Sequence, residues 1–339
     1  MTSTTPPGGI GASPVPPGPP PKTRRPARTG ALRRAEARAG MGLIAPTVII
    51  VLAVVVLPIL WSISLAFQRV RLISLRSAGI FGNYVLDNFA HVIAAPGFID
   101  TLVTTLVYSI FGTAASIALG LVATLALRRK FRGRGFVRSV MLLPYVAPVV
   151  AVTFVWQTML HPQFGFINYW GQHLLGWSKP IAFLSEKTNE VSLFGLTIPM
   201  PTALITVILF EAWRQFPFAF LFLTARLQAI PGSLEEAARV DGATITQRFR
   251  YLIWPQLLPT VAVLSVLRFI WTFTSFDDIY LLTGGGAGTE VISVRVYQFL
   301  TGRGDIGLAS AQALVIALVL AVLVGVYLRF FGKREEDFS

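Results

Sequence analysis

Residues 42–67 read GLIAPTVIIVLAVVVLPILWSISLAF, 26 residues without a single charge. A helix rises about 1.5 Å per residue, so roughly 20 apolar residues cross the ~30 Å hydrocarbon layer of a bilayer. This run is long enough to span it. Five further stretches of similar character follow, at about 101–127, 139–160, 202–223, 258–276 and 308–331. The expected fold is therefore all-α: a polytopic membrane protein with six transmembrane helices over 42–331.

The composition agrees. Charged residues make up 13% of the chain, against roughly 25% in soluble globular proteins. With no cysteine, disulfides, thiolate metal sites and a Cys nucleophile are excluded. The net charge of +13 is spread in short runs between apolar stretches. That distribution argues for membrane orientation and against a nucleic-acid partner, which needs a basic face on a folded domain.

Residues 1–41 are rich in Pro, Gly, Ser, Thr and Arg. They carry too little apolar surface to offset ordering entropy, so a disordered tail is expected. They make a poor signal peptide, because the following apolar run is too long and ends without a small-residue cleavage site. Residues 332–339 form a short C-terminal tail. Of 29 Lys and Arg, 20 lie on the N-terminal side of the expected spans, seven lie opposite, and Arg214 and Arg268 fall inside. The positive-inside rule then places both termini in the cytoplasm. RRKFRGR at 128–134 is the densest marker, read as a topogenic loop against anionic headgroups. Opposite it, 161–201 is the longest loop, with room for a short interfacial helix. Its Trp170, Trp177 and Phe183 suit a membrane-interface belt or a contact surface.

Between the fourth and fifth stretches, residues 229–255 read AIPGSLEEAARVDGATITQRFRYLIWP. Pro231-Gly232 ends the membrane helix in a turn. Ser233 is the expected N-cap, with Glu236 completing a capping box. Leu234, Ala237, Ala238 and Val240 give the following helix an apolar side, with Glu235, Arg239 and Asp241 on its rim. Gly242 stands where a helix end needs the left-handed conformation. A second amphipathic helix is expected through Ile245, Phe249 and Leu252, ending at Trp254-Pro255. Helices this short are marginal in water, so the pair must pack on its own bundle or on a partner.

The spacing Glu236-Ala237-Ala238, three residues, Gly242, nine residues, Leu252-Ile253-Trp254-Pro255 resembles the EAA loop of ABC importer permeases. That pattern is Glu-Ala-Ala, three residues, Gly, nine residues, Ile, any residue, Leu, Pro. Leu252 and Trp254 are apolar substitutions within it, and Asp241-Gly242-Ala243 matches a common extension. FDDIYLLTGGG at 276–286 and DIGLASA at 305–311 are similar to the carbohydrate-uptake branch, of the maltose, lactose and glycerol-phosphate permease kind. Ala287 stands where that branch often has Pro, and Thr289 follows.

The resemblance implies a type I importer permease fold in a bacterial inner membrane, passing a sugar or sugar-like solute. It implies a second, similar permease, a dimer of ATPase subunits holding ATP and Mg, and an external solute-binding protein. On this chain it implies no cofactor, metal or catalytic residue. The ATPase-coupling residues would be Leu234, Glu236, Ala237, Ala238, Asp241 and Gly242.

Intramembrane charge is costly and usually faces a bundle interior or wet cavity. Glu211, Arg214, Phe218, Arg268, Asp277 and Asp278 are therefore candidates for the pathway. Glu211 and Arg214, three residues apart, also allow a pair that merely neutralises itself. The phenylalanines at 216, 218, 220 and 222 suit lipid or helix contact, or stacking on a sugar. Thr283–Gly288 is glycine-rich, but no Gly-Lys-Ser/Thr follows and no strand precedes it, so a tight external turn is expected rather than a P-loop. His91, His161 and His173 have no metal-ligand spacing. An ion-coupled secondary transporter would favour inverted repeats and mid-membrane acids; no repeat is visible and Glu211 is the one acid well inside a span. A permease for polyamines remains the alternative within the importer class.

Overall fold

The computed structural model describes residues 30–335 apart from 78, 80, 81, 130, 194 and 195. The chain divides at Pro58 into a small first unit and a large second one. The first holds α1 (Gly30–Val51) and a π turn at Leu52–Val56. Helix thus begins at Gly30, twelve residues before the apolar run, because Ala, Leu, Arg and Glu at 31–39 all favour it. The apolar span is Gly40–Ala66, completed by α2 (Leu57–Ala66).

The second unit continues with α3 (Asp87–Ala94) and α4 (Phe98–Ala126), the second span. The third apolar stretch, expected as one kinked helix, is two: α5 (Arg134–Val146) and α6 (Val149–Met159), inclined at 96°. Pro148 cannot donate an N–H and pushes the residue before it out of the helical region. Ala147 is accordingly extended, at ψ 142. Pro144 sits inside α5 without breaking it.

The loop that follows contains α7 (Phe166–Leu174) and a hairpin of β1 (Asn189–Leu193) and β2 (Leu196–Met200), with Asn189 opposite Met200. The short helix is as expected, and the hairpin is additional. Buried Asn168 pins this loop. It accepts from Ile181 N at 2.7 Å and donates to Ile181 O at 3.0 Å and His161 O at 3.3 Å.

The fourth span is α8 (Thr202–Gln228). Then come α9 (Gly232–Val240) and α10 (Ile245–Arg248), a π turn at Phe249–Ile253, and α11 (Trp254–Phe273). From Ile245 to Phe273 the helix runs without a break. The second amphipathic helix therefore does not stop at Trp254-Pro255 but becomes the fifth span. A proline ring collides with the carbonyl four residues back, and the wider π turn ahead of Pro255 relieves that. Pro58 follows a π turn at the same distance. Next come α12 (Asp277–Thr283), α13 (Ile292–Tyr297) and α14 (Ile306–Glu335), whose Ile306–Arg329 forms the sixth span.

The most extensive helix pair is α4 with α8. Small residues line the buried strip of α4: Thr105, Ser109, Gly112, Thr113, Ser116, Gly120, Ala123 and Thr124. Such strips let helix backbones approach in a membrane. At Gly120 the approach is closest, where a Cβ would lie 2.7 Å from Ala219 Cβ and 2.9 Å from Phe220 N. Helices α12 and α13 enter the interior beside them. Ile279, Leu282, Val291 and Val294 pack with Tyr108, Val207 and Phe210.

Candidate functional site

Two places gather the residues singled out above, a charged cavity inside the bundle and a helical corner at one membrane face. The cavity, about 520 Å³, is lined by Tyr145, Glu211, Arg214, Gln215, Arg268, Trp271 and Ser275. One turn of α8 places Glu211 and Gln215 on the same strip, facing Arg268 and Thr272, one turn apart on α11. Arg268 forms an ion pair with Glu211. It also donates to Gln215 Oε1 at 3.0 Å and to Thr272 Oγ1 at 3.2 Å. Thr272 in turn donates to Glu211 Oε1 at 3.0 Å.

Arg214 turns the other way. Its Nη2 and Nε donate to Asp278 Oδ2 at 2.9 and 3.2 Å. The Glu211–Arg214 pair allowed by the sequence is thus not the one made, because residues three apart on α8 lie on adjoining strips that face α11 and α12 respectively. Glu211 and Asp278 neighbour one another across the two pairs, with Tyr108 of α4 beside them. Glu211, Arg268 and Asp278 are at most 2% exposed. Each of the two guanidiniums thus has an acidic partner within the cluster, as buried charge requires.

Phe218 stacks one turn beyond Gln215, with ring centroids 6.2 Å from Tyr145 and 5.1 Å from Trp271. It thus touches the aromatic part of the lining and is not itself a lining residue. Phe220 is buried and Phe222 exposed. Asp277 does not join the cluster. It is exposed at the start of α12, a 100° step round the helix from buried Asp278. Tyr145, Gln215, Trp271, Thr272 and Ser275 carried no sequence signal of their own. Only their i, i+3 and i, i+4 spacing from Glu211 and Arg268 could have found most of them.

The turn after α12 has Gly284, Gly285, Ala287 and Gly288 all at positive φ, closed by Thr283 and Thr289 hydroxyls 2.6 Å apart. It is a tight turn, as expected. Ala287 at φ 52 takes a conformation closed to proline, so the departure from the carbohydrate-branch pattern comes with a different local backbone.

At the corner, Gly242 has φ 76. Its N–H donates to Arg239 O at 3.1 Å, and Ala243 N to Ala238 O at 2.9 Å. These are the two bonds of a Schellman stop. The capping box lies elsewhere than expected. Helix α9 begins at Gly232 behind Pro231, whose carbonyl accepts from Leu234 N at 3.2 Å, and Ser233 is already helical. The box is Thr244 with Gln247, at the start of α10. Thr244 N donates to Gln247 Oε1 at 2.8 Å and Gln247 N to Thr244 Oγ1 at 3.3 Å.

The apolar side of the corner is not packed inward. Leu234, Ala237, Val240, Ile245 and Tyr251 are exposed, Val240 at 87%. Glu236 and Asp241 are exposed with them, while Glu235 turns inward to an ion pair with Arg128. Between the arms lies a cleft of about 400 Å³, floored by Ala238, Gly242, Ala243 and Leu252.

Known proteins resemble this chain. Residues 116–336 match the family model of binding-protein-dependent transport system inner membrane components. The Escherichia coli inner membrane ABC transporter permease protein YcjO is 31% identical over 283 residues, 83% of this chain and 90% of that one. The trehalose/maltose transport system permease MalF of Thermococcus litoralis is 30% identical over 310 residues, covering 91% and 98%. The sn-glycerol-3-phosphate permease UgpA of Agrobacterium fabrum is 32% identical over 261 residues, covering 76% and 83%. In fold, the chain resembles a crystal structure of a bacterial ABC transporter that imports the acidic polysaccharide alginate. The TM-score is 0.71 at 23% identity, covering 90% of this chain and 99% of that one. With an uncovered helix–glycine–helix corner joined to a charged cavity, and with these relatives along most of its length, the chain belongs to the binding-protein-dependent inner membrane components of ABC importers.

Proposed function

We propose that this permease forms half of the translocation pathway for a neutral sugar or sugar-like solute. A second, similar permease would complete the cavity, an external binding protein would deliver the solute, and a dimer of ATPase subunits holding ATP and Mg would dock on the corner. Both termini and the corner would then face the cytoplasm, the side that the distribution of Lys and Arg favours. Family membership speaks against the ion-coupled rival.

The observation that carries this reading is the continuity of the corner with the cavity. Helix α9 follows α8 after three residues, and α10 runs unbroken into α11. Helices α8 and α11 hold Glu211 and Arg268. A push on Leu234, Glu236, Ala237, Ala238 and Asp241 would pass through the rigid stop at Gly242 and reach the ion pair along two helices. Rigid-body shifts of packed helices are a common way to switch access.

The solute class follows from the lining. Each guanidinium already has an acidic side chain as its partner, so neither is left free to take a phosphate. Tyr145 and Trp271 offer ring faces, and Gln215 and Ser275 offer hydrogen bonds, which suit a sugar's apolar faces and hydroxyls.

Gly242→Leu tests the coupling. The variant should insert normally yet lose uptake, because leucine resists φ 76. Normal uptake by an assembled Gly242→Leu permease contradicts the reading. Competition among labelled trehalose, maltose and glycerol 3-phosphate tests the solute: the neutral sugars should win, and preference for the phosphate rules out a neutral pathway.

A further inference from the structure

Arg128 is the second residue beyond the end of α4, after the cap at Leu127. There a cation also meets the negative end of the helix dipole. Its guanidinium is ion-paired with Glu235 on α9, the two side chains 33% and 20% exposed. Arg248 on α10 is near enough to act on it, and burial together with that neighbouring charge lowers the Arg128 pKa. One side chain from the end of α4 therefore meets α9 directly and lies within electrostatic reach of α10.

The two consecutive acids of α9 divide the work. Glu236 is exposed on the outer surface, while Glu235 is spent within the chain. The helix that Glu235 holds is not peripheral. Helix α4 makes the most extensive contact with α8, approaches it closely at Gly120, and places Tyr108 beside the charge cluster.

We propose that Arg128 is a positioning residue of the transport cycle: its pair with Glu235 ties the corner to the end of α4, so that α4 moves with α8 and α11. This rests on the reading of the corner as the coupling element. With side chains 33% and 20% exposed, the pair is only partly screened, so the insertion level reports any loss of folding and uptake reports the loss of coupled motion.

The test uses the whole importer in its native membrane. Labelled trehalose, maltose and glycerol 3-phosphate serve together as uptake probes, and MgATP hydrolysis is followed in the same membranes. Arg128→Glu should insert at the normal level and lose roughly tenfold in uptake, within the range of contacting-pair couplings. ATP hydrolysis should continue, so that solute moved per ATP falls. The swap Arg128→Glu with Glu235→Arg should recover most of the uptake, and Arg128→Lys should keep it. Normal uptake by Arg128→Glu, or a swap no better than the single variant, overturns the proposal. If Arg128→Glu does not insert, Arg128→Gln takes its place, and its normal uptake is equally decisive. Should Gly242→Leu also transport normally, the corner reading itself fails. If Gly242→Leu is inactive while Arg128→Glu is normal, only the strut is refuted.

Discussion

Arg268 illustrates how much one buried side chain decides here. It is 1% exposed and serves Glu211, Gln215 and Thr272 at once. Removing one partner of a buried pair leaves the other charged and unsolvated, at a cost of about 3–5 kcal/mol. Arg268→Ala is thus expected to destabilise the protein by that order in detergent unfolding titrations. Replacing both partners, Glu211→Gln with Arg268→Met, should cost much less. Equal losses in the single and double variants would show that the pair does not hold α8 to α11. The sequence marked both residues as intramembrane charges and allowed a pair of Glu211 with Arg214, the nearer cation along the chain, among its readings. Arg214 belongs to Asp278, 64 residues away.

Among elements, the α4–α8 pair carries the bundle, and its small-residue strip was readable in principle. Thr105, Ser109, Gly112, Ser116, Gly120 and Thr124 recur every three or four residues, a pattern that signals close helix approach. A leucine at 120 would meet backbone as well as Ala219, and backbone cannot move aside as a flexible side chain can. Gly120→Leu should lower stability by about 1–3 kcal/mol, the usual cost of overpacking. The same titrations check this, and an unchanged midpoint would mean that the helices are less closely seated. Other elements show where local signals mislead. Ser233 with Glu236 has the form of a capping box, yet the helix already starts at Gly232, and Thr244 with Gln247 makes the box instead. Prolines misled in both directions: Pro148 broke a span expected only to kink, while Pro255, expected to end a helix, is carried through by a π turn.

Across the whole molecule, the lack of native cysteine makes topology directly measurable. A single cysteine at Val240, exposed at the corner, should react with an impermeant thiol reagent only from the cytoplasmic side of the membrane. One at Tyr169, exposed in the loop between α6 and α8, should react only from outside. The reverse pattern, Val240 labelled only from outside and Tyr169 only from the cytoplasmic side, would overturn the inside placement of the termini. The sites of the apolar spans rest on hydropathy, and the side proposed for each loop rests on the placement of Lys and Arg. Both are properties of residues against a bilayer, so they can be read along the chain. The corner was legible for a similar reason: a left-handed glycine and its two flanking helices are local, set within a dozen residues. Which charge meets which, which of Asp277 and Asp278 turns inward, and that Glu235 reaches back to Arg128 were decided only by tertiary structure. These contacts join residues 64, 57 and 107 positions apart, and no local preference fixes the rotation of one packed helix against another.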